Sequence, residues 1–112
     1  MYRQGDILLV KINNIPKDAI KQKKQDLIIL AFGEKTGHCH AVKSNAVQEF
    51  KQKEDRFFKI GKTVILSHGL LEEIKKKEKV SEDHNIIEIP PGLYRLIHQR
   101  EYSPEKTRLV SD

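Results

Sequence analysis

Cysteine and aromatic residues are scarce in this sequence. Its single cysteine, Cys39, excludes a disulfide within the chain and fits a reducing compartment. Tryptophan is absent, and phenylalanine and tyrosine together make up 6% of the residues. So few aromatic rings argue against an extended platform on which the bases of single-stranded nucleic acid could stack.

Long apolar runs are missing as well. No stretch approaches the roughly 20 apolar residues that a helix needs to cross a bilayer. The first six residues lack the charged-then-apolar order of a secretory signal peptide. We therefore expect a cytoplasmic protein that does not associate with membranes.

Positive charge is what the chain has in excess. It contains 21 Lys and Arg against 16 Asp and Glu, which gives a net charge of +5 over 112 residues. This length predicts one domain, residues 1–112. A basic balance favours an acidic partner, nucleic acid being the usual one. Solvated lysines in two tracts, residues 21–25 and 75–79, are the competing explanation.

Short apolar segments separated by turn residues predict a mainly β fold. The segments expected to form strands are residues 7–12, 27–32, 38–43, 46–50, 56–60, 63–67, 84–89, 93–100 and 107–110. Residues 27–32 are the most apolar, so we expect a central strand there. His68 and Gly69 interrupt the pattern before a short helix over residues 70–79. Turn signals recur every eight to twelve residues, which predicts a small partly open barrel or sandwich with at most one short helix.

Two histidines, His38 and His40, flank Cys39 directly after Gly37. On a strand, residues two apart point to the same face, with Cβ atoms roughly 6–7 Å apart. The two imidazoles could therefore converge on one metal ion or one anionic group. Cys39 would point to the opposite face, so we exclude it as a ligand.

A metal site needs three or four converging ligands. The best third ligand is His84, at the start of a predicted strand, and His68 is the next candidate. Glu34 and Glu101 could serve as ligands or hold an imidazole N–H. Imidazole-rich ligation suits a divalent transition metal such as Zn, Fe, Ni or Cu. Histidines packed in an interaction module, without a metal, remain an alternative.

Acid–base chemistry on RNA is the second alternative. Two histidines can act as acid and base on a ribose 2′-OH and its phosphate, because the imidazole pKa lies near neutrality. Cationic side chains would stabilise the phosphate charge or simply bind nucleic acid. The candidates for this role are Lys35, Lys43, Arg95 and Arg100.

Several motifs spread along the chain resemble the pattern of a family of small uncharacterised bacterial and phage proteins. They are Arg3-Gln4-Gly5-Asp6, residues 33–40, Glu82-Asp83-His84, Pro91-Gly92-Leu93-Tyr94, and Gln99-Arg100-Glu101-Tyr102 with Pro104. The resemblance implies that His38, His40 and His84 form one constellation with Glu101 and Gln99. His98 lies outside this pattern, so it is not included. No function follows from the resemblance.

The histidine pair and the later Pro-Gly corner also partly resemble the cupin metal motif. Cupins place a glutamate where this chain has Ser44 and Asn45, and a later histidine where it has Arg95. The resemblance therefore implies an incomplete cupin site, and oxygenase chemistry does not follow from it.

Overall fold

The computed structural model describes residues 1–33, 35–76 and 86–99, and these ranges form ten strands and one helix. In chain order the elements are β1 (Tyr2–Gln4), β2 (Ile7–Ile12), β3 (Ile20–Lys21), β4 (Leu27–Phe32), β5 (His38–Lys43), β6 (Val47–Gln52), β7 (Asp55–Ile60), β8 (Val64–Leu70), α1 (Leu71–Lys76), β9 (Ile87–Ile89) and β10 (Gly92–His98). None of the described residues forms a helix long and apolar enough to span a membrane.

The strands form two antiparallel sheets that pack face to face. The six-stranded sheet has the order β1-β2-β10-β7-β6-β3, and the four-stranded sheet has the order β4-β5-β8-β9. The described strands do not close into a barrel. The predicted mainly β fold with one short helix is therefore confirmed, and it is a sandwich.

The main core lies between the two sheets. Alternate residues of each strand point inward, as Ile7 and Leu9 do in β2 and Tyr94 and Leu96 do in β10. These four side chains are 0–6% exposed. Both sheets contribute side chains to this core, so neither sheet could be stable alone.

A second, smaller cluster holds α1 against the outer face of the four-stranded sheet. Cys39, Ala41 and Ile74 are buried in it. The backbone N–H of Leu71 donates to the carbonyl of Gly37 at 2.9 Å, which ties the start of α1 to the turn before β5. Ile74 is the residue of the described part of α1 that is buried in this contact.

The outer face of the six-stranded sheet is also apolar. Side chains on it alternate with the core side chains of the same strands, and neither core cluster contains them. We call it the outer face of the six-stranded sheet. Its apolar residues are Leu8, Val10, Ile12, Phe50, Phe57, Leu93 and Ile97.

The structure corrects several predicted boundaries. His68 and Gly69 do not interrupt the sheet, because they pair with His40 and Cys39 of β5, and β8 continues to Leu70. The helix covers residues 71–76, and the rest of the predicted 70–79 segment includes residues outside the described ranges. β9 begins at Ile87, while residues 84 and 85 and the predicted strand 107–110 lie outside those ranges.

The prediction that residues 27–32 form a central strand is wrong, because β4 is an edge strand of the four-stranded sheet. Its apolar character has a different cause. Ile28 and Leu30 face the main core, while Leu27 and Ile29 pack under α1. A strand covered on both faces looks central in sequence even when one edge is unpaired.

The unpaired edge of β4 is capped by Arg56. The pairing of β4 with β5 has a register shift between Ile29 and Ala31. At this point Arg56 Nη2 and Nη1 donate to the carbonyl oxygens of Ile29 and Leu30 at 3.0 and 3.1 Å. Arg56 Nε and Nη2 also bind both carboxylate oxygens of Glu49, at 2.7 and 3.1 Å. Arg56 therefore links the two sheets at this edge.

We expect Arg56→Met to lower the free energy of unfolding by about 2–3 kcal/mol, because it leaves the Glu49 carboxylate and two backbone carbonyls without their donor. Urea unfolding followed by circular dichroism measures this loss. Lys59→Met, on the same strand but exposed, is the matched control and should change stability by less than about 0.5 kcal/mol. Equal effects of the two substitutions would contradict the assigned role of Arg56.

Candidate metal centre

At one end of the sandwich the interior changes from apolar to polar. His40 lies on the inner face of β5, His68 on that of β8 and His98 on that of β10. Each is two residues from a core side chain, namely Val42, Leu66 and Leu96 respectively. His40 and His68 pair directly across β5 and β8. Both sheets therefore place imidazoles at the same end of the core.

Gln4 holds the ring of His40 through a buried hydrogen-bond relay. Gln4 Nε2 donates to the carbonyl of Leu66 at 3.0 Å, so Gln4 Oε1 is left as an acceptor. His40 Nδ1 lies 2.8 Å from that oxygen. The side chains of His40 and Gln4 are 3% and 6% exposed. This arrangement places the proton of a neutral His40 on Nδ1 and leaves the lone pair on Nε2.

Gly5 and Asp6 lie on the Nε2 side of the same ring. Asp6 Oδ1 is 4.0 Å from His40 Nε2. A Cβ at Gly5 would lie 3.0 Å from Cε1 and 3.3 Å from Nε2, and Gly5 has φ of 60°, where other residues are strained. The consecutive residues Gln4, Gly5 and Asp6 therefore surround one imidazole.

His68 stacks on His40. The ring centroids are 4.1 Å apart and the planes differ by 12°. A metal ion bound by imidazole lies close to the plane of that ring. Two nearly parallel rings at this spacing cannot both hold one ion in plane, so His68 would have to turn to share an ion with His40.

The pKa of His40 is lowered, chiefly because burial disfavours the charged imidazolium. His68 and His98 lower it further, while the carboxylate of Asp6 acts in the opposite direction. His40 is therefore neutral at physiological pH, and its Nε2 can accept a proton or coordinate an ion.

The structure describes only some of the metal ligands predicted from the sequence. His38 is half-buried two residues before His40, with Nδ1 3.4 Å from the carbonyl oxygen of Thr36. Within residues 1–33, 35–76 and 86–99, no three His, Cys, Asp or Glu side chains converge as metal ligands. The remaining predicted residues, His84, Glu34, Glu101 and Arg100, lie outside the described residues.

Three residues of the polar end were missed by sequence reasoning: Gln4, Asp6 and His98. His98 lies on the same strand face as Tyr94 and Leu96. The alternation of residues along the sequence already indicates this shared face. Gln4 and Asp6 belong to the first motif of the chain, but their proximity to His40 depends on strand pairing. Gln99, predicted from sequence, joins this end through its backbone N–H, which donates to the carbonyl of Asp6 at 2.6 Å.

The basic residues predicted to contact nucleic acid are not gathered on one surface. Lys43 Nζ donates to the carbonyl of Lys75 in α1 at 2.6 Å. Arg95 lies on the outer face of the six-stranded sheet, where its Nη2 is 3.2 Å from Asp55 Oδ1. Lys35 is exposed in the turn before β5. The described members of this set therefore do not form a continuous patch.

A cavity of about 310 Å³ lies elsewhere, between β4 and the β3–β6 edge of the other sheet. Its lining includes Arg56 and Glu49, which already bind each other, and the exposed Lys23 and Lys51. Arg56 and Glu49 are thus engaged in holding the fold.

A family model described as a domain of unknown function, DUF8820, matches residues 3–99. The chain therefore belongs to this family. Comparison with curated proteins and with solved structures found no match. The family match confirms the expected relation to uncharacterised proteins and does not test the cupin resemblance.

We expect His40 in the metal-free protein to carry its proton on Nδ1, because Gln4 Oε1 can only accept. Long-range ¹H–¹⁵N correlation spectra at pH 8 distinguish the two tautomers. Gln4→Leu should release the ring and populate the form with the proton on Nε2. Gln48→Leu, which removes an amide distant from His40, should leave the His40 signals unchanged. An Nε2–H tautomer in the unsubstituted protein would contradict the relay.

Stability should fall in mildly acidic solution because of His40. Its pKa in the folded protein is below the ordinary value of 6.5, so the unfolded chain binds the proton more readily. The contribution of neutral His40 is fully present above that value and is lost as the pH falls through the lowered pKa. Urea unfolding at pH 7.5 and at lower pH measures this loss. It should be smaller in His40→Gln, and an equal loss in both proteins would contradict the assignment.

Proposed function

We propose that the protein binds a divalent transition metal at the histidine end of the sandwich, with His40 Nε2 and the carboxylate of Asp6 as ligands. The observation that carries the proposal is the hydrogen bond from His40 Nδ1 to Gln4 Oε1. Metal-binding histidines typically donate their second ring N–H to a fixed acceptor, which orients the ring and directs the other nitrogen at the ion.

The distance between the two proposed ligand atoms is close to what a metal requires. Ligand atoms about 2.0–2.2 Å from a tetrahedral ion lie roughly 3.3–3.5 Å from each other. His40 Nε2 and Asp6 Oδ1 are 4.0 Å apart. The side chain of Asp6 is 37% exposed, so it can shift by the remaining half ångström or so on binding.

Further ligands can come from the same end. His68 is already in contact with His40 and would join after turning its ring out of the stack. His98 faces the pair from the other sheet, and its charge influences His40. His38 and His84 remain the ligands predicted from sequence. Nitrogen ligands with one carboxylate suit Zn, Fe, Ni or Cu.

The test is a zinc titration of the untagged, chelator-treated protein against a chromophoric chelator, with elemental analysis of the protein as purified. We expect about one equivalent bound at a site of this kind. His40→Gln and Asp6→Asn should abolish or strongly weaken binding. Gln4→Leu should weaken it by about 10–100-fold, as expected when the partner of a metal-bound histidine is removed.

Glu88→Gln, an exposed carboxylate on β9, is the matched control and should bind zinc as the unsubstituted protein does. Thermal unfolding checks that each variant is folded. His38→Ala, His84→Ala, His68→Ala and His98→Ala then separate the ligand set predicted from sequence from the set favoured by the fold. Less than about a tenth of an equivalent, or binding unaffected by both His40→Gln and Asp6→Asn, would falsify the proposal.

Cleavage of RNA by a histidine acid–base pair has less support from the geometry. His40 and His68 are adjacent, but His40 is only 3% exposed, so a ribose phosphate could not reach it without rearrangement. An ion or a water molecule is a far smaller ligand. Product analysis for 2′,3′-cyclic phosphates would distinguish this activity from metal binding alone.

A further inference from the structure

The cavity between β4 and the β3–β6 edge is large enough for a small organic molecule. Its volume of about 310 Å³ is at the lower end of the range of ligand pockets, and a single water molecule needs only about 10–15 Å³ of such space. Ile28 and Val47, both buried in the main core, contribute apolar surface to it. None of its described lining residues belongs to the histidine end, so this site is separate from the proposed metal site.

The charged side chains around the cavity leave an excess of positive charge. Arg56 and Glu49 neutralise each other through two hydrogen bonds. Lys23 and Lys51 form no ion pair with any residue in the part of the chain that the structure describes. Lys51 also pairs directly with Arg56 across β6 and β7, and like charges placed opposite each other destabilise a sheet. An anion in the cavity would offset this repulsion.

The unpaired edge of β4 adds backbone donors to the same cavity. The N–H of Ser44 donates to the carbonyl of Asp26 at 2.8 Å, so the next residue, Leu27, occupies a position without ladder hydrogen bonds to β5. Its N–H and carbonyl therefore point away from β5. Ile29, two residues further on, has the same direction, and its carbonyl accordingly meets Arg56. Leu27 and Ile29 both line the cavity, and no described strand pairs with this edge.

We propose that the cavity binds a phosphate monoester with a small hydroxylated body, a sugar phosphate. A phosphate ester carries nearly two negative charges at pH 7, which matches Lys23 and Lys51, and its oxygens accept hydrogen bonds from backbone N–H groups. The amide of Gln25 and the outward carbonyl of Leu27 are partners for hydroxyl groups.

The lining also distinguishes between kinds of phosphate ester. Among the described residues that line the cavity there is no aromatic side chain on which a nucleobase could stack. This composition favours a sugar phosphate over a mononucleotide. Binding at this cavity does not depend on the proposed metal.

The test is a titration of the ¹⁵N-labelled full chain with ribose 5-phosphate to about 10 mM, followed by ¹H–¹⁵N correlation spectra. This range covers a Kd near 1 mM, which is ordinary for a ligand of this size. We expect saturable shifts of the amide signals of Leu27 and Ile29. Lys23→Gln and Lys51→Gln should each raise the Kd by at least about threefold, and together by about tenfold. Lys51→Gln should not lower the stability of the unliganded protein, because it removes the repulsion with Arg56.

Lys59→Gln is the matched control, because it removes the same charge from the outer face of the six-stranded sheet. It should leave the Kd unchanged, and ribose without phosphate should cause no shifts. Inorganic phosphate and adenosine 5′-monophosphate should bind more weakly than ribose 5-phosphate.

Absence of shifts at Leu27 and Ile29 would overturn the proposal, as would equal weakening by Lys59→Gln and Lys51→Gln. Inorganic phosphate that binds as tightly as the ester would also overturn it, because the cavity would then hold an adventitious ion only. Tighter binding of adenosine 5′-monophosphate would replace the sugar phosphate by a nucleotide and so contradict the assigned ligand.

Discussion

The hydrogen bond from His40 Nδ1 to Gln4 Oε1 fixes the orientation of the most buried imidazole at the histidine end. It joins β1 of one sheet to β5 of the other, and Gln4 is held in turn by the carbonyl of Leu66. Buried polar groups destabilise a small core unless each has a partner. Because the relay occupies Nδ1 of His40, the other ring nitrogen, Nε2, is the one that lies toward Asp6. The relay thus orients this imidazole, while burial is the main cause that lowers its pKa.

The two layers of the sandwich explain why the polar end can exist. Strand alternation directs the same set of side chains inward along each strand, and at one end those side chains are histidines instead of Val, Leu or Ile. The apolar remainder of the core, with Ile7, Leu9, Phe58 and Tyr94 nearly inaccessible, supplies the packing. The apolar packing that stabilises the fold therefore lies outside the polar end. Substitutions at the polar end need not unfold the protein.

The local sequence pattern predicted most of the strands and the mainly β fold. It also predicted that His38 and His40 lie on the same face of one strand. It placed β4 at the centre of a sheet, because a strand covered by a core on one side and a helix on the other has no polar alternation. It also omitted Gln4, Asp6 and His98. These residues meet His40 only through pairings between distant strands, and no local spacing contains that information. The proximity of His68 to His40 likewise follows from the pairing of β5 with β8.

The cap that Arg56 places on β4 has a consequence for how the molecule can assemble. The other strands at the margins of the described sheets are β1, β3 and β9, with three, two and three residues. Such short strands are poor templates for adding a strand from another chain, and on β4, the longest of these margins, Arg56 occupies the carbonyls of Ile29 and Leu30. These features disfavour growth into continuous intermolecular sheets, the route to fibrils, along these margins.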